Sequence, residues 1–428
     1  MSHPPVRKRE IFGWAMFDFA NSSYTTIIVT VAFSVYFTTV VSPGATGDTL
    51  WGFALLASNL IVVASSPLIG AVADDSGNKK GLLAVTWLVC VVGTGALWFV
   101  LPGDVALALT FFVLSNVAYS FGENLAGAFL PEISTPANIG WISGFAWGLG
   151  YLGGLGCLLL VRPLLAAGFT VENLNGLRLT WVITALFFLL AAVPTFVFLR
   201  ERAPRGESRS LAGYWRVGFQ RLAATARSVR HFSELARFLI IFTVYSAGLM
   251  TVIAFTGIYA VRTIGFEASE LVTMFIVVQL SATGGALLFG RIQDRIGSRR
   301  SIQIALVLWI LVCVAAAAAT TKGQFWVITL FAGLGIGSLQ ASSRALVGLL
   351  SPVAKSGEFF AFWGLANRLA YAGGPAVFGV VSALAGSQRI AILTTSLFFL
   401  AGLVAMSTVS VERGRAAAIA WDERETGA

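Results

Sequence analysis

Four ionisable residues lie inside long apolar stretches of this sequence: Asp18, Glu123, Arg344 and Arg368. Charged side chains at membrane depth are costly, and they usually face an interior cavity, pair with one another or meet a charged ligand. Carboxylates can exchange protons, and guanidinium groups bind carboxylate or phosphate. The chemistry that these residues predict is therefore reversible ion pairing.

The surrounding sequence predicts the elements that hold these charges. Hydrophobic residues make up 57% of the 428-residue chain and charged residues only 11%, whereas soluble domains carry about 25% charged residues. A spanning helix needs about 20 apolar residues, and lipid leaves the backbone of such a run no alternative to a helix. We predict twelve spans at residues 11–41, 50–73, 81–101, 105–131, 138–161, 178–199, 235–261, 268–291, 301–320, 324–350, 358–384 and 390–410.

The basic residues predict the orientation of these spans. With twelve spans, 22 Lys and Arg residues fall in the termini and loops of one side, and five in the loops of the other. Positively charged loops stay in the cytoplasm. We therefore expect both termini in the cytoplasm, and a bacterial inner membrane as the location.

The sequence also predicts the domain boundaries. We expect an N-terminal six-helix bundle at residues 1–200, a linker at 201–234, a C-terminal bundle at 235–411 and a cytoplasmic tail at 412–428. In the linker, Leu211, Trp215 and Phe219 follow helical spacing with Arg216 and Arg221 between them. This pattern favours an amphipathic helix on an anionic leaflet, with a solvated linker as the alternative.

Two sequence motifs recur at an offset of 220 residues. The segment 70–80 matches 290–300, and the segment 144–154 matches 364–374. Two matches at one offset indicate a duplicated six-span unit. In the first motif a Gly, an Asp, a second Gly and a basic pair recur, so its turn, acceptor and cations are repeated as well.

This Gly-Asp-Gly-basic loop resembles the signature loop of the major facilitator superfamily, which implies two pseudo-symmetric bundles of six helices and transport by alternating access. In that family the loop latches the halves together at the cytoplasmic side; a turn that only carries positive-inside charge is the alternative. The Asp is expected to accept hydrogen bonds from backbone N–H groups or a helix N-terminus, and the basic pairs are expected to stay with lipid phosphates. The latch residues are Gly70, Asp74, Gly77, Lys80, Gly290, Asp294, Gly297 and Arg300.

Within the superfamily, the segments 13–22, 129–133 and 357–360 resemble the vacuolar amino-acid effluxer branch linked to autophagy, together with its bacterial relatives. The resemblance covers nearly the whole chain. It departs at Phe17, where the branch pattern predicts Tyr. It implies a secondary carrier of small charged or zwitterionic organic solutes, amino acids among them.

The repeat and the family fold suggest how the buried charges meet. Glu123 precedes Pro131 by eight residues and Arg344 precedes Pro352 by eight, so both are expected at similar depth in spans that line the cavity. We predict that Arg344 pairs with Glu123 or Asp18 as a cytoplasmic-side gate; a static bridge that aids packing is the alternative. Arg368 is expected to meet a substrate carboxylate or phosphate, or else Asp18 or helix carbonyls.

Further side chains are candidates for a polar or aromatic cavity lining, although hydrogen bonding between helices explains each of them equally well. They are Asn21, Tyr24, Asn124, Trp147, Tyr245, Gln340 and Asn367.

Other functions are less well supported. The spans contain no His, no Cys pair and no Ser–base pattern, which disfavours a membrane enzyme or a metal site, and no cofactor or nucleic-acid partner is predicted. An exporter of lipids or amphipathic drugs would need an apolar cavity, and a non-transporting receptor or scaffold has no need of duplicated latch loops. The expected partners are a small-molecule substrate, protons coupled through Asp18 or Glu123, and membrane lipids, with the chain a monomer.

Overall fold

A computed structural model describes residues 6–43, 45–202, 213, 216–220 and 231–426. The described part is helical without strands, and it contains twelve helices long and apolar enough to cross a membrane. The prediction of twelve spans is confirmed. The predicted linker helix at 201–234 lies largely outside the described residues, although residues 216–220 are helical.

The first six spans follow one another along the chain with short connections. Each of them is a helix because lipid offers the backbone no partner outside its own segment. They are α1 (Lys8–Val41), α2 (Thr46–Ser76), α3 (Lys79–Phe99), α4 (Val105–Ile133), α5 (Ile139–Leu165) and α6 (Val171–Phe198).

Six further spans follow the predicted linker. They are α7 (Ser233–Ile264), α8 (Thr273–Ile296), α9 (Ser298–Ala318), α10 (Lys322–Leu350), α11 (Val353–Ala385) and α12 (Gln388–Met406). The helix that contains α8 begins at Ala268. A thirteenth helix, α13 (Val411–Thr426), follows the last span.

Two spans depart from regular α-helix. In α1 the segments Thr25–Val31 and Phe37–Val41 are π-helical, and both are rich in β-branched residues, which crowd a regular helix. In α4 the α-helix Val105–Gly127 stops before a short helix Leu130–Ile133.

The chain forms two compact units, with boundaries inside α4, inside α5 and between residues 219 and 220. Unit 1 comprises residues 1–129 and 149–219, and unit 2 comprises residues 130–148 and 220–428. The first part of α5 therefore belongs to unit 2 and the rest to unit 1. Unit 2 thus includes a segment of the first sequence repeat.

In unit 1, three hydrogen bonds hold α1 to two other helices, α4 and α6. The Trp14 indole donates to the Ala126 carbonyl at 2.7 Å, and the Thr195 hydroxyl donates to the Gly13 carbonyl at 2.7 Å. The Tyr24 hydroxyl pairs with the Ser115 hydroxyl at 2.8 Å. Gly153 of α5 lies directly against the Phe19 carbonyl, where a side chain would collide.

In unit 2, α7 occupies the equivalent place. The Tyr245 hydroxyl pairs with the Ser343 hydroxyl at 2.7 Å, and the Tyr259 hydroxyl donates to the Ala316 carbonyl at 2.8 Å. Gly374 of α11 lies against the Ala247 carbonyl. Both units therefore use a buried tyrosine and a glycine contact on their first span.

Each unit also has an ion pair between its first span and the segment after its last. Glu10 accepts from Arg202 at 2.7 Å in unit 1, and Glu234 accepts from Arg413 at 2.9 Å in unit 2. Residues predicted as a plain cytoplasmic tail form α13. The Asp422 carboxylate there accepts from the backbone N–H groups of Val353 and Ala354.

Candidate functional site

The beginning of α5 packs closely on α8 because glycines face the crossing on both helices. A Cβ on Gly290 would lie 2.6 Å from the Gly140 carbonyl oxygen. A Cβ on Gly144 would collide with the Ala286 carbonyl. Backbone therefore meets backbone at this crossing, as small residues allow in membrane helices.

Asp294, the acidic residue of the second signature loop, binds the N-terminal end of α5. Its Oδ1 accepts from the Gly140 N–H at 2.8 Å and its Oδ2 from the Trp141 N–H at 2.8 Å. The first N–H groups of a helix lack intrahelical acceptors and carry the positive end of the helix dipole. The guanidinium of Arg291 lies 4.1 Å from the centre of the Trp141 ring. A carboxylate and a cation–π contact thus hold the same turn of α5.

Arg344 holds the next turn of α5. The side chain is buried in α10, with 4% of its surface exposed. Its Nε donates to the Ser143 hydroxyl at 3.2 Å and its Nη2 to the Ser143 carbonyl at 3.0 Å. The guanidinium lies 5.1 Å from the centre of the Trp147 ring, a distance at which cation–π attraction contributes.

The two predicted acids lie in unit 1. Asp18 is half-buried in α1, and its backbone carbonyl accepts from the Ser22 hydroxyl at 2.8 Å. Glu123 is half-buried in α4, beside the buried Asn124. The pairing of Arg344 with either acid stays a prediction.

Three of the predicted lining residues join helices within their own unit. The Asn124 amide donates to the Ser66 hydroxyl at 2.6 Å, and Tyr24 and Tyr245 bind serines as described above. These contacts are the helix-to-helix hydrogen bonds that the sequence left open as the alternative.

The other predicted lining residues differ in their surroundings. Asn21 is buried, and Gln340 and Arg368 are half-buried. Asn367 is half-buried, and its buried Oδ1 has no hydrogen-bond partner among the residues that the structure describes. Phe17, the departure from the branch pattern, is buried, and its ring makes a T-shaped contact with the Phe188 ring.

In the first signature loop, the Asp74 carboxylate pairs with Lys79 at 3.2 Å, and both side chains are buried. The Lys80 ammonium donates to the Leu199 carbonyl at 2.6 Å. Gly77 has a φ of 59° after the end of α2, and Gly70 is buried. The expectation that the basic pair stays with lipid phosphates is wrong for Lys79, because burial beside Asp74 gives the ammonium a carboxylate partner inside the protein.

In the second signature loop, Gly297 ends α8 with φ 86° and ψ 154°, a conformation that essentially only glycine adopts. Arg300 is exposed. Within the described residues, no group of three or more His, Cys, Asp or Glu side chains is placed to hold a metal ion.

Sequence reasoning missed Ser143, Trp141 and Arg291. The positions that match them in the repeat are Trp363, Ala361 and Ala71. Comparison of the two halves therefore gives no signal for these residues. Only the approach of α5 to α8 and α10 makes them neighbours of the motif.

Known proteins resemble this chain in sequence and fold. The uncharacterized MFS-type transporter YxiO of Bacillus subtilis strain 168 is 24% identical over 410 residues, covering 93% of this chain and 94% of YxiO. The human organic anion transporter MFSD10 superposes with a TM-score of 0.72 at 16% identity, over 94% of this chain and all of its own. FucP in the outward conformation gives a TM-score of 0.70 at 15% identity, over 94% and 98% of the two chains. Twelve spans with this arrangement define a secondary transporter of the major facilitator superfamily, an integral multi-pass membrane protein.

A match to a single family model identifies the branch of the superfamily. The model of the family described as "Vacuole effluxer Atg22 like" matches residues 137–419. The chain belongs to this family, as the segments 13–22, 129–133 and 357–360 predicted. Autophagy-related protein 22 of Cryptococcus neoformans is 25% identical over 295 residues, which cover 64% of this chain and 54% of that relative.

Proposed function

We propose that this transporter carries a small charged or zwitterionic organic solute, with amino acids as the first candidates, across a bacterial inner membrane. The similarity to amino-acid effluxers in the opening motif supports this class. The excess of basic residues on one set of loops supports cytoplasmic termini.

The observation that carries the proposal is the buried guanidinium of Arg344. A cation at membrane depth is retained when it has a function or a partner of opposite charge. Arg344 lies on a span that lines the cavity in this superfamily, and it donates to a serine hydroxyl and a neutral carbonyl. A guanidinium group matches a solute carboxylate in geometry and charge, and a hydrogen bond between two ionised partners is about twice as strong as a neutral one.

The position of α5 links binding to movement in this proposal. Asp294 and Arg344 hold consecutive turns at the beginning of α5, which is the span that continues from unit 2 into unit 1. Release of these turns then allows the cytoplasmic end to open. A solute or proton that competes for Arg344 shifts the balance between the two states by its differential affinity.

Counterflow in proteoliposomes tests the substrate class. The purified chain is reconstituted and loaded with unlabelled zwitterionic, acidic or basic amino acids, and with carboxylates lacking an amine and amines lacking a carboxylate. We expect uptake of the labelled solute only when the loaded compound carries a carboxylate. Counterflow with uncharged or lipid-like solutes alone would contradict the proposal.

Two variants test the predicted cytoplasmic-side gate, in which Arg344 pairs with Glu123 or Asp18. Arg344→Gln is expected to lower counterflow at least tenfold, since a charged hydrogen bond contributes about 1.5–3 kcal/mol. Glu123→Gln is expected to remove the dependence of counterflow on pH. Arg9→Gln, at an exposed position near the N-terminus, serves as the control with unchanged transport. Normal, pH-sensitive transport by both gate variants would overturn the gate.

A further inference from the structure

Ser143 is a fully buried residue on which three hydrogen bonds converge. Its hydroxyl donates to the Ala341 carbonyl of α10 at 2.8 Å and accepts from Arg344 Nε at 3.2 Å. Its carbonyl accepts from Arg344 Nη2 at 3.0 Å. The exposed fraction of its surface is 0%, so water does not compete for these bonds.

The two bonds from Arg344 fix the guanidinium in position and in plane. The donors Nε and Nη2 are rigidly related in the planar guanidinium group. Both reach acceptors of one residue, so the side chain is held at two points. Trp147 lies one helical turn beyond Ser143, and residues four apart share a helix face. This spacing puts the indole 5.1 Å from the guanidinium carbon that Ser143 orients.

The neighbouring glycine makes this arrangement possible. Gly144 lies against the Ala286 carbonyl of α8, while the side chain of Ser143 reaches the backbone of α10. A larger residue at 144 would push α5 away from α8. The backbone at 143–144 is therefore enclosed between α8 and α10, and the serine hydroxyl faces the arginine.

We propose that Ser143 is the positioning residue for Arg344, and that its hydroxyl sets how firmly the beginning of α5 is held to α10. The proposal rests on the function proposed above only for its consequence in transport. The hydroxyl gives Nε an acceptor at a fixed place on α5, and an apolar side chain at 143 would take that acceptor away.

The test compares Ser143→Thr with Ser143→Val, which add the same volume and differ in the hydroxyl. The full chain is studied in nanodiscs without any solute, and hydrogen exchange of the α5 amides at 142–148 is followed by mass spectrometry. We expect exchange about tenfold to a hundredfold faster in Ser143→Val than in Ser143→Thr, the factor that follows from losing a hydrogen bond to a charged group. Equal exchange in the two variants overturns the proposal.

The same two variants in an Arg344→Met background separate a role of Ser143 in positioning the guanidinium from a role in helix packing. In Arg344→Met the hydroxyl retains its bond to the Ala341 carbonyl, and it has no guanidinium to orient. The ratio of exchange between the Val and Thr variants is then expected to fall to about threefold, as for a single neutral hydrogen bond. An unchanged ratio would show that Ser143 serves only α10 packing. If Ser143→Val does not insert, Ser143→Ala against the unchanged chain gives the same comparison.

The two proposals fail separately. The hydrogen-exchange experiment needs no solute. If it shows coupling between Ser143 and Arg344 but amino acids give no counterflow, the proposed substrate is wrong and the positioning role stands. If amino acids give counterflow but the hydroxyl has no effect on exchange, the positioning role is wrong and the proposed substrate stands.

Discussion

The two signature loops have matching sequences and different structural partners. In the first, Asp74 pairs with Lys79 inside the loop, and Lys80 binds the carbonyl of Leu199 beyond α6. In the second, Asp294 binds the N-terminal end of α5, and Arg300 stays exposed. The motif provides a turn, an acceptor and two cations, but neighbouring helices select what each of them binds.

The difference also concerns the basic pair. Lys79 is 1% exposed, whereas its counterpart Arg299 is exposed and reaches the Val409 carbonyl only at 3.5 Å. A buried ion pair depends on both partners, because removing one leaves a charge away from water. The first loop should therefore respond to loss of its carboxylate more strongly than the second.

Asp74→Asn is the substitution with the largest expected effect. The substitution removes the carboxylate beside buried Lys79, and this loss is expected to lower the free energy of unfolding by about 3 kcal/mol. The melting temperature of the purified chain in detergent measures the loss. The double variant Asp74→Asn with Lys79→Met should recover part of it. A double variant no more stable than the single one would show that the ion pair is not the cause.

Asp294→Asn is expected to have the next largest effect. Asparagine retains one acceptor oxygen and loses the charge, so one N–H of Gly140 or Trp141 faces an amide that donates. The expected cost is about 2 kcal/mol, as for a hydrogen bond to a charged group, and the amides at 140–141 should exchange faster. Arg300→Gln in the same loop is the matched control, with no change in either measurement. A loss as large as that of Asp74→Asn would remove the contrast between the loops.

The two turn glycines sharpen the comparison at the level of the backbone. Gly297 has φ 86° and ψ 154°, and strain there costs on the order of 1–3 kcal/mol for other residues. Gly77 has φ 59°, near the value of left-handed residues, and asparagine tolerates that region. Gly297→Asn should therefore lower the melting temperature clearly, and Gly77→Asn should leave it almost unchanged. A larger loss of melting temperature in Gly77→Asn than in Gly297→Asn would contradict the backbone conformations assigned to the two turns.

The smallest expected effect lies at the first turn of the helix Ala268–Ile296, at the end opposite to the second signature loop. The hydrogen bond from Lys322 to Glu270, at 2.7 Å, holds the pKa of this carboxyl below its ordinary value of 4.5. A depressed pKa contributes stability that is present above the unfolded value and lost as pH falls through the folded value. Glu270→Gln should then lower the melting temperature slightly at pH 7 and not at pH 3. The matching position in the first repeat is Leu50, where Leu50→Gln should show no such pH dependence.

Much of the fold was predictable because lipid imposes a simple rule on the sequence. Long apolar runs must be helices, so twelve spans follow from hydropathy, and the repeat at 220 residues groups them. The acceptor role of Asp294 was also within reach, since a carboxylate is a favourable partner for the N-terminus of a neighbouring helix. The helix at Val411–Thr426 was missed because its polar sequence gives no hydropathy signal.

The partners of the charged residues were not predictable in the same way. Lys79 and Arg299 occupy the same motif position, and only the packing around each decides which is buried. Ser143 binds Arg344 across 201 positions of sequence, and its repeat counterpart is a tryptophan. Such a pair depends on which helices meet, which a single sequence does not encode locally.

The division of α5 has a consequence for how the chain is made. The N–H groups of Gly140 and Trp141 find their acceptor in Asp294, 154 and 153 residues later. At a synthesis rate of about 5–20 residues per second, this interval lasts roughly 8 to 30 s. The ribosome thus releases one end of a spanning helix well before its carboxylate partner exists. The N-terminal half, expressed alone, would remain in this unfinished state until the other half was supplied.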